Sequence, residues 1–153
     1  MPAANSHSGL IEKETEMNKP LSAHDALIYV MVMASAVDST MNDREMERIG
    51  QLIGFLPVFR DFDDDKLISV ARDCASLLAG PEGLDVVLET VRDTLPAKLY
   101  DTAYALAVEV ASADLSVKAE ELRLLSLLRD RLGLDKLTCA AIERSAIARF
   151  RKG

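Results

Sequence analysis

Residues 26–37 read ALIYVMVMASAV, a run of twelve residues in which Ser35 is the one clearly polar side chain. The run lacks the polar and apolar alternation of a half-exposed strand, and its Ala and Met residues favour a helix. A helix that is apolar on every face belongs at the centre of a fold. Just before the run, Ser22 and Asp25 have the Ser-x-x-acid spacing that is typical of a helix start. The sequence therefore predicts a buried central helix that begins at Ser22.

Residues that start and stop helices divide the remaining chain into further elements. Pro57, the GPEG stretch at 80–83 and Gly133 are placed to end helices, and Asn42 and Asp135 are placed to cap the next ones. This pattern predicts an all-α fold of seven helices, at about 22–37, 42–56, 63–79, 82–94, 97–113, 117–132 and 135–150. In the third helix the predicted core-facing residues are Leu67, Ile68, Ala71, Ala75 and Leu78. Residues 1–19 are small, polar and charged, so we expect a flexible N-terminal tail before a single helical domain at 20–153.

Composition and charge bear on which partners the protein can have. The net charge of −7 opposes nucleic acid as a partner, because phosphate binding draws its affinity from clustered Lys and Arg. The longest apolar run is twelve residues, well short of the ~20 needed to cross a bilayer, so no transmembrane helix is expected. Cys74 and Cys139 have no metal or disulfide spacing, which is typical of buried, reduced thiols. We therefore expect a cytoplasmic protein.

The chain repeats its first helical pair with an offset of 76 residues. The residues shared by the two copies are Pro20 and Pro96, Asp25 and Asp101, Val32 and Val108, Asp38 and Asp114, Glu45 and Glu121, Leu52 and Leu128, and Leu56 and Leu132. In both copies an apolar helix, an acidic loop and an amphipathic helix follow in that order. We predict an internal duplication of a helical hairpin, with a pseudo-two-fold relation and the two apolar helices crossing at the centre.

Each copy carries an acidic box between its two helices. The first box reads DSTMNDRE at 38–45, and the second reads DLSVKAEE at 114–121. Asp38 and Glu45 in the first box are seven residues apart, as are Asp114 and Glu121 in the second. Repeated carboxylates of this kind are candidate ligands for a divalent cation, since hard cations prefer oxygen.

The members of the first box differ in how easily they are explained without a cation. Glu45 follows Asn42 by three residues, and this is the spacing of a capping box at a helix start. Asp38 falls at the C-terminal end of a helix, where the helix dipole disfavours an anion. Its charge could be compensated by the N–H groups of the next helix, by Arg44 or Arg48, or by a bound cation. The sequence leaves these alternatives open.

The two boxes resemble the signature of TerB-like domains, which is an Asp-x-x-apolar-Ser/Asn-x-x-Glu pattern after an apolar helix. The resemblance covers about residues 20–150. It implies an all-helical, internally duplicated, non-enzymatic domain that is linked to tellurite resistance and other stress responses and is also found in some DnaJ-type co-chaperones. It further implies divalent metal binding through the acidic residues, which by motif match are Asp38, Glu45, Asp114 and Glu121.

This sequence departs from the family pattern at both boxes. Ser39 and Leu115 stand where the family often has Gly, and Lys118 occupies the position that Asn42 fills in the first copy. A missing Gly limits how far a loop can turn toward an ion, and a Lys opposes cation binding. We therefore expect the second box to be the weaker metal site.

Other metal and catalytic patterns are not supported. An EF-hand counted from Asp38 would need Gly at Asp43 and Glu at Ile49. The run Asp63, Asp64 and Asp65 is best explained as a helix start. The chain has two histidines and no Ser/His/Asp pattern, so the sequence offers no candidate residues for nucleophilic catalysis. The methionines Met31, Met33, Met41 and Met46 are expected to fill the core.

We therefore expect a non-enzymatic protein that binds a protein partner, with a divalent cation at the acidic boxes as a candidate switch. The partner could belong to a membrane-associated complex. The alternative is a purely structural, co-chaperone-like interaction module, in which the acidic residues only cap helices and no metal is bound. A small-molecule enzyme is a third hypothesis, and it would need carboxylates that converge in a pocket.

Overall fold

The computed structural model describes residues 21–36, 41–114 and 117–153. The predicted tail at 1–19 and Asp38 both lie outside the described residues. The described chain forms seven α-helices and no strand, so the predicted all-α class is confirmed. The helices are α1 (Ala23–Ala36), α2 (Asp43–Phe55), α3 (Leu67–Ala79), α4 (Gly83–Thr94), α5 (Tyr100–Ala111), α6 (Ala119–Leu132) and α7 (Lys136–Arg149). Short 3₁₀ helices connect some of them, at Pro57–Phe59, Asp64–Lys66, Ala97–Leu99 and Ser112–Asp114.

Helix α1 is the centre of the fold. All of its residues from Ala26 to Ser35 are buried, as expected of a helix that is apolar on every face. It packs most extensively against α5 and also lies against α3 and α4. The predicted capping box is present, since Asp25 N donates to Ser22 Oγ at 3.1 Å and Ser22 N donates to Asp25 Oδ2 at 3.2 Å.

The second apolar helix, α5, packs against α1 and also against α6 and α7. The hydroxyl of Tyr104 in α5 donates to Glu143 Oε2 of α7, and Glu143 also accepts from Arg129 of α6 at 3.1 Å. Burial, together with the hydrogen bond to Glu143, raises the pKa of Tyr104. These three side chains therefore join three helices through polar contacts at the edge of the core. The predicted duplication and pseudo-two-fold relation stay a prediction.

Helix α2 begins and ends where the sequence predicts. Asn42 is its N-cap, with Oδ1 accepting from Glu45 N at 2.9 Å, and the helix stops before Pro57. Ile49 and Ile53 are buried, and the other predicted core-facing residues, Met46, Leu52 and Leu56, are partly buried against them. The predicted core-facing side of this helix is therefore confirmed.

Helix α3 is rotated from the orientation that the sequence suggested. Its buried residues are Val70, Ala71 and Cys74, whereas Ile68 is 56% exposed and Ala75 is also exposed. A 3₁₀ turn at Asp64–Lys66 precedes α3, so the α-helix begins about one turn later than predicted. Asp63 Oδ1 caps this turn by accepting from Asp65 N. The face toward α1 is set by this entry and by Cys74, whose Sγ donates to Tyr29 O at 3.7 Å.

The last two helices confirm one predicted boundary and correct another. Gly133 ends α6 in the left-handed conformation at a φ of 64°, as its position after Leu132 suggested. Asp135 occupies the N-cap position of α7, but its side chain makes no capping hydrogen bond, so the prediction that it caps the helix is wrong in that respect.

The predicted core fillers and thiols lie where expected. Met31 and Met33 are fully buried, and Met41 and Met46 pack partly buried against the core. Cys74 and Cys139 are free and buried, and burial raises the pKa of Cys74 to about 12. None of the helices in the described ranges combines enough length and hydropathy to cross a membrane.

The turn between α3 and α4 is the most constrained connection in the described chain. Glu82 has a φ of 50°, a conformation that costs a non-glycine residue energy. Gly83 follows it at the start of α4, and a Cβ there would lie 2.3 Å from Leu78 O and 2.5 Å from Leu77 O. Only glycine fits this close approach of helix start to helix end.

We predict opposite effects for alanine at two glycines. Gly83→Ala should lower the free energy of unfolding by roughly 1–3 kcal/mol, because backbone carbonyls must move to accept the methyl group. Gly50→Ala, within α2, should raise it by roughly 0.5–1 kcal/mol, since the new Cβ meets only Leu67 Cδ2 at 3.8 Å and alanine favours the helix. Urea denaturation of both variants measures the difference; equal effects would contradict the described turn.

Candidate functional site

A cavity of about 430 Å³ lies where the ends of α1 and α5 meet the beginnings of α2 and α6. Helix α1 contributes Ala34 and Ser35, and the end of α5 and the 3₁₀ helix after it contribute Val110 and Ala113. The charged lining comes from the starts of the other two helices: Arg44, Glu45, Glu47 and Arg48 of α2, and Lys118 and Glu121 at the start of α6. Gln51 completes the wall.

The structure brings together the glutamates of the two acidic boxes. Glu45 and Glu121 come from positions separated by 76 residues, yet both line this one cavity. Glu121 is 9% exposed and Glu45 is half-buried. The backbone of Asp114 ends the 3₁₀ helix directly after the lining residue Ala113, but its side chain, like all of Asp38, lies outside the described residues.

Both glutamates also belong to helix starts, and each copy shows a different half of a capping box. In the first copy the side chain of the cap accepts, since Glu45 N donates to Asn42 Oδ1. In the second copy the glutamate accepts, since Lys118 N donates to Glu121 Oε1 at 3.2 Å. An ammonium group has no acceptor, so Lys118 cannot supply the other half. Capping therefore accounts for one hydrogen bond at Glu45 and one at Glu121.

The described lining has no net formal charge, because three acidic residues face three basic ones. The helix ends explain this mixture. The N-termini of α2 and α6 favour the carboxylates, whereas the C-terminal ends of α1 and α5 favour cations nearby. Arg44, Arg48 and Lys118 supply such cations from the protein itself. A bound metal ion would have to compete with them.

The carboxylates that the structure describes are too few to form a metal centre by themselves. Over ranges 21–36, 41–114 and 117–153, no group of three or more His, Cys, Asp or Glu side chains lies close enough together to hold a metal ion. Of the four predicted metal ligands, Glu45 and Glu121 are those whose side chains the structure describes at this cavity. Oxygen ligands of that kind suit Ca²⁺ or Mg²⁺ better than softer metals.

The other sequence candidates have structural roles. His24 Nε2 lies 2.7 Å from Val58 O, and its ring packs against Phe59 and Phe62. Asp63 caps a 3₁₀ turn, as its position suggested.

The cavity wall also contains Ser35 and Gln51, which the sequence did not mark as site residues, and Arg44 and Arg48, which it named only as groups that could compensate Asp38. Ser35 is 9% exposed and its Oγ is one of the few buried polar atoms without a hydrogen bond in the described chain, as is Nε of Arg48. The guanidinium of Arg48 lies 5.4 Å from the centre of the Phe150 ring, at the end of α7. The spacing of Arg44, Arg48 and Gln51 along one face of α2 was a signal available in the sequence.

Comparison with protein-family models, with curated proteins and with solved structures finds no match to this chain. The class that fold and cavity define is an all-helical protein with a mixed-charge cavity at a four-helix junction. The resemblance to TerB-like domains rests on the two acidic boxes alone.

We predict that the cap of α2 contributes measurably to stability. Asn42→Ala should lower the free energy of unfolding by about 1 kcal/mol, because Glu45 N loses its acceptor. Asn42→Asp keeps a side-chain oxygen and should change stability by less than half as much. Chemical denaturation of the two variants compares them, and an equal loss in both would show that the hydrogen bond is not what the helix start requires.

Proposed function

We propose that the protein is a non-enzymatic, cytoplasmic, TerB-like binding protein of the stress-response kind, which acts through a protein partner. In this proposal the cavity between the acidic boxes binds a divalent cation. The observation that carries the proposal is that Glu45 and Glu121, at equivalent positions of the two boxes, line the same cavity. A capping role at each helix start does not by itself require that the two side chains share one cavity.

Electrostatics supports a weakly bound cation at this place. The C-terminal ends of α1 and α5 add partial negative charge to that of the carboxylates. Arg44, Arg48 and Lys118 act in the opposite sense, because nearby positive charges disfavour a cation. The binding constant should therefore be that of a weak, exchangeable site rather than of a structural metal.

A cation there would join elements from both halves of the chain. Glu45 belongs to α2 and Glu121 to α6, and these two helices do not form one of the major packing contacts of the fold. A shared ion would therefore hold two helix starts in a fixed relation. We propose that a partner protein, for example one in a membrane-associated complex, binds the surface that these two helix starts form when the ion fixes their positions. Nucleic acid is not proposed as a partner, because the chain has a net charge of −7.

The alternative function is an interaction module without metal. It is favoured by the balanced charge of the cavity lining and by the capping hydrogen bonds of Asn42 and Lys118 N. In this alternative the capping hydrogen bonds at the two helix starts fix the helix junction without an ion. The same partner class applies, and the difference lies only in the response to ions.

Thermal melting of the whole protein in EDTA, Ca²⁺, Mg²⁺, Mn²⁺ and Zn²⁺ tests the proposal. We expect Ca²⁺ or Mg²⁺ to raise the melting temperature, because a ligand that binds only the folded state adds about 2.7 kcal/mol at a hundredfold excess over its Kd. The double variant Glu45→Gln with Glu121→Gln should abolish the shift. Gln keeps the capping geometry at both positions, so folding is preserved.

Glu120→Gln is the matched control for this experiment. Glu120 lies next to Glu121 in the first turn of α6 but is exposed and does not line the cavity. It should leave the shift intact. A melting temperature that is the same in EDTA and in every metal would reject the cation and leave the interaction module.

A further inference from the structure

Two hydrogen-bond donors in the cavity wall have no acceptor. Ser35 Oγ and Arg48 Nε are buried, and neither has a hydrogen-bond partner among the residues that the structure describes. Both residues line the cavity, Ser35 from α1 and Arg48 from α2. Buried donors are nearly always paired with protein, water or ligand, because leaving them unpaired costs free energy. Because both residues belong to the cavity wall, an acceptor bound in the cavity is the kind of partner that these donors lack.

The two arginines of the cavity also have no carboxylate partner. The guanidinium groups of Arg44 and Arg48 make no ion pair within the described part of the chain, although they lie one helical turn apart and repel each other. By contrast, Arg131 pairs with Asp85 at 3.2 Å and with Glu89 at 2.7 Å. Two like charges held together beside a cavity are typical of a site for an anion.

The guanidinium of Arg48 is held by a ring contact from the end of α7. Its guanidinium lies over the ring of Phe150, which Arg149 also contacts at 5.5 Å. Arg149 is itself held by Glu109, with distances of 2.6 and 2.9 Å from NH1 to the two carboxylate oxygens. This chain of contacts reduces the freedom of Arg48, so less entropy is lost when it binds a ligand.

We propose that Arg48, Arg44 and Ser35 form an oxyanion subsite, which takes the phosphate or carboxylate group of a small molecule. The planar guanidinium of Arg48 matches two oxygens of such a group, and Ser35 Oγ donates to one of them. Arg44, which is exposed at the rim, adds charge. The volume of about 430 Å³ is within the range of small-ligand sites, so the group can carry a short substituent.

This subsite does not depend on the proposed cation, because its donors are separate from the carboxylates of Glu45 and Glu121. An anion bound in EDTA would therefore support the subsite even if the metal series shows no effect. Conversely, a cation effect without an anion effect would overturn the subsite and leave the proposed function intact. The experiments can therefore reject the cation site and the anion subsite independently of each other.

The experiment is calorimetric titration and thermal melting of the full chain in EDTA with inorganic phosphate, with acetate, and with sodium chloride at equal ionic strength. We expect phosphate or acetate, but not chloride, to bind and to raise the melting temperature. The stronger of the two identifies the group: phosphate for phosphorylated ligands, acetate for carboxylated ones. Binding of neither beyond the chloride effect overturns the proposal.

Three variants show whether the binding is at this site. Arg48→Gln should weaken the anion about tenfold, since a hydrogen bond to a charged group is lost, and Arg48→Lys should weaken it by a smaller factor. Arg123→Gln removes the same charge from an exposed position on α6 that does not line the cavity, and should change the affinity less than about twofold. Equal losses in Arg48→Gln and Arg123→Gln would mean non-specific binding and overturn the proposal.

Ser35→Ala separates a ligand role from a structural one. In anion-free buffer it should leave the melting temperature unchanged or raised, because the hydroxyl has no hydrogen bond to lose. In phosphate or acetate the same variant should gain less stability than the unmodified chain. A variant that is destabilised equally with and without the anion would show that Ser35 serves only the fold, and that the subsite is wrong.

Discussion

The contact between α1 and α5 is the constraint on which the rest of the structure depends. Both helices are too apolar to face water, so each must be covered, and they cover each other more extensively than any other pair of helices in the described chain. Once they are packed at the centre, the remaining helices are limited to the outside. Residues near the C-terminal ends of both helices, Ser35 of α1 and Val110 of α5, then lie at the same cavity.

The helix ends give that cavity its chemistry. Two helices finish there and two begin, so partial negative and partial positive charges occur within one small volume. The charged side chains of the lining, glutamates and basic residues alike, come from the starts of α2 and α6. A place with both signs of charge can hold a cation at one wall and an anion at another without a large net charge. A cation and an oxyanion bound together would form an ion pair that the protein encloses.

Local chemistry could be predicted from the sequence, and long-range placement could not. The capping box of Ser22 and Asp25, the cap at Asn42 and the stop at Gly133 each depend on residues within one turn, and all were correct. The burial of α1 followed from a run in which Ser35 is the one clearly polar residue. The rotation of α3 was missed because Ile68 is as apolar as Val70, and only the packing against α1 decides between them.

The candidate site was found only in part, for the same reason. The repeat identified Glu45 and Glu121 and suggested equivalent settings, but no spacing in the sequence states that two helix starts meet at one cavity. The sequence shows Ser35 only as the one clearly polar side chain of an apolar helix. Its importance comes from the absence of an acceptor near its hydroxyl in the described structure, which is a property of the folded chain alone.

The ring of Phe150 under Arg48 has a practical consequence for studying the protein. The sequence contains no tryptophan, so one introduced at position 150 would be the sole indole fluorophore in the chain. A guanidinium group 5.4 Å from the ring centre would lie within the immediate surroundings of that fluorophore. Its emission could follow movements of the arginine, and hence the state of the cavity, without any label or bound dye.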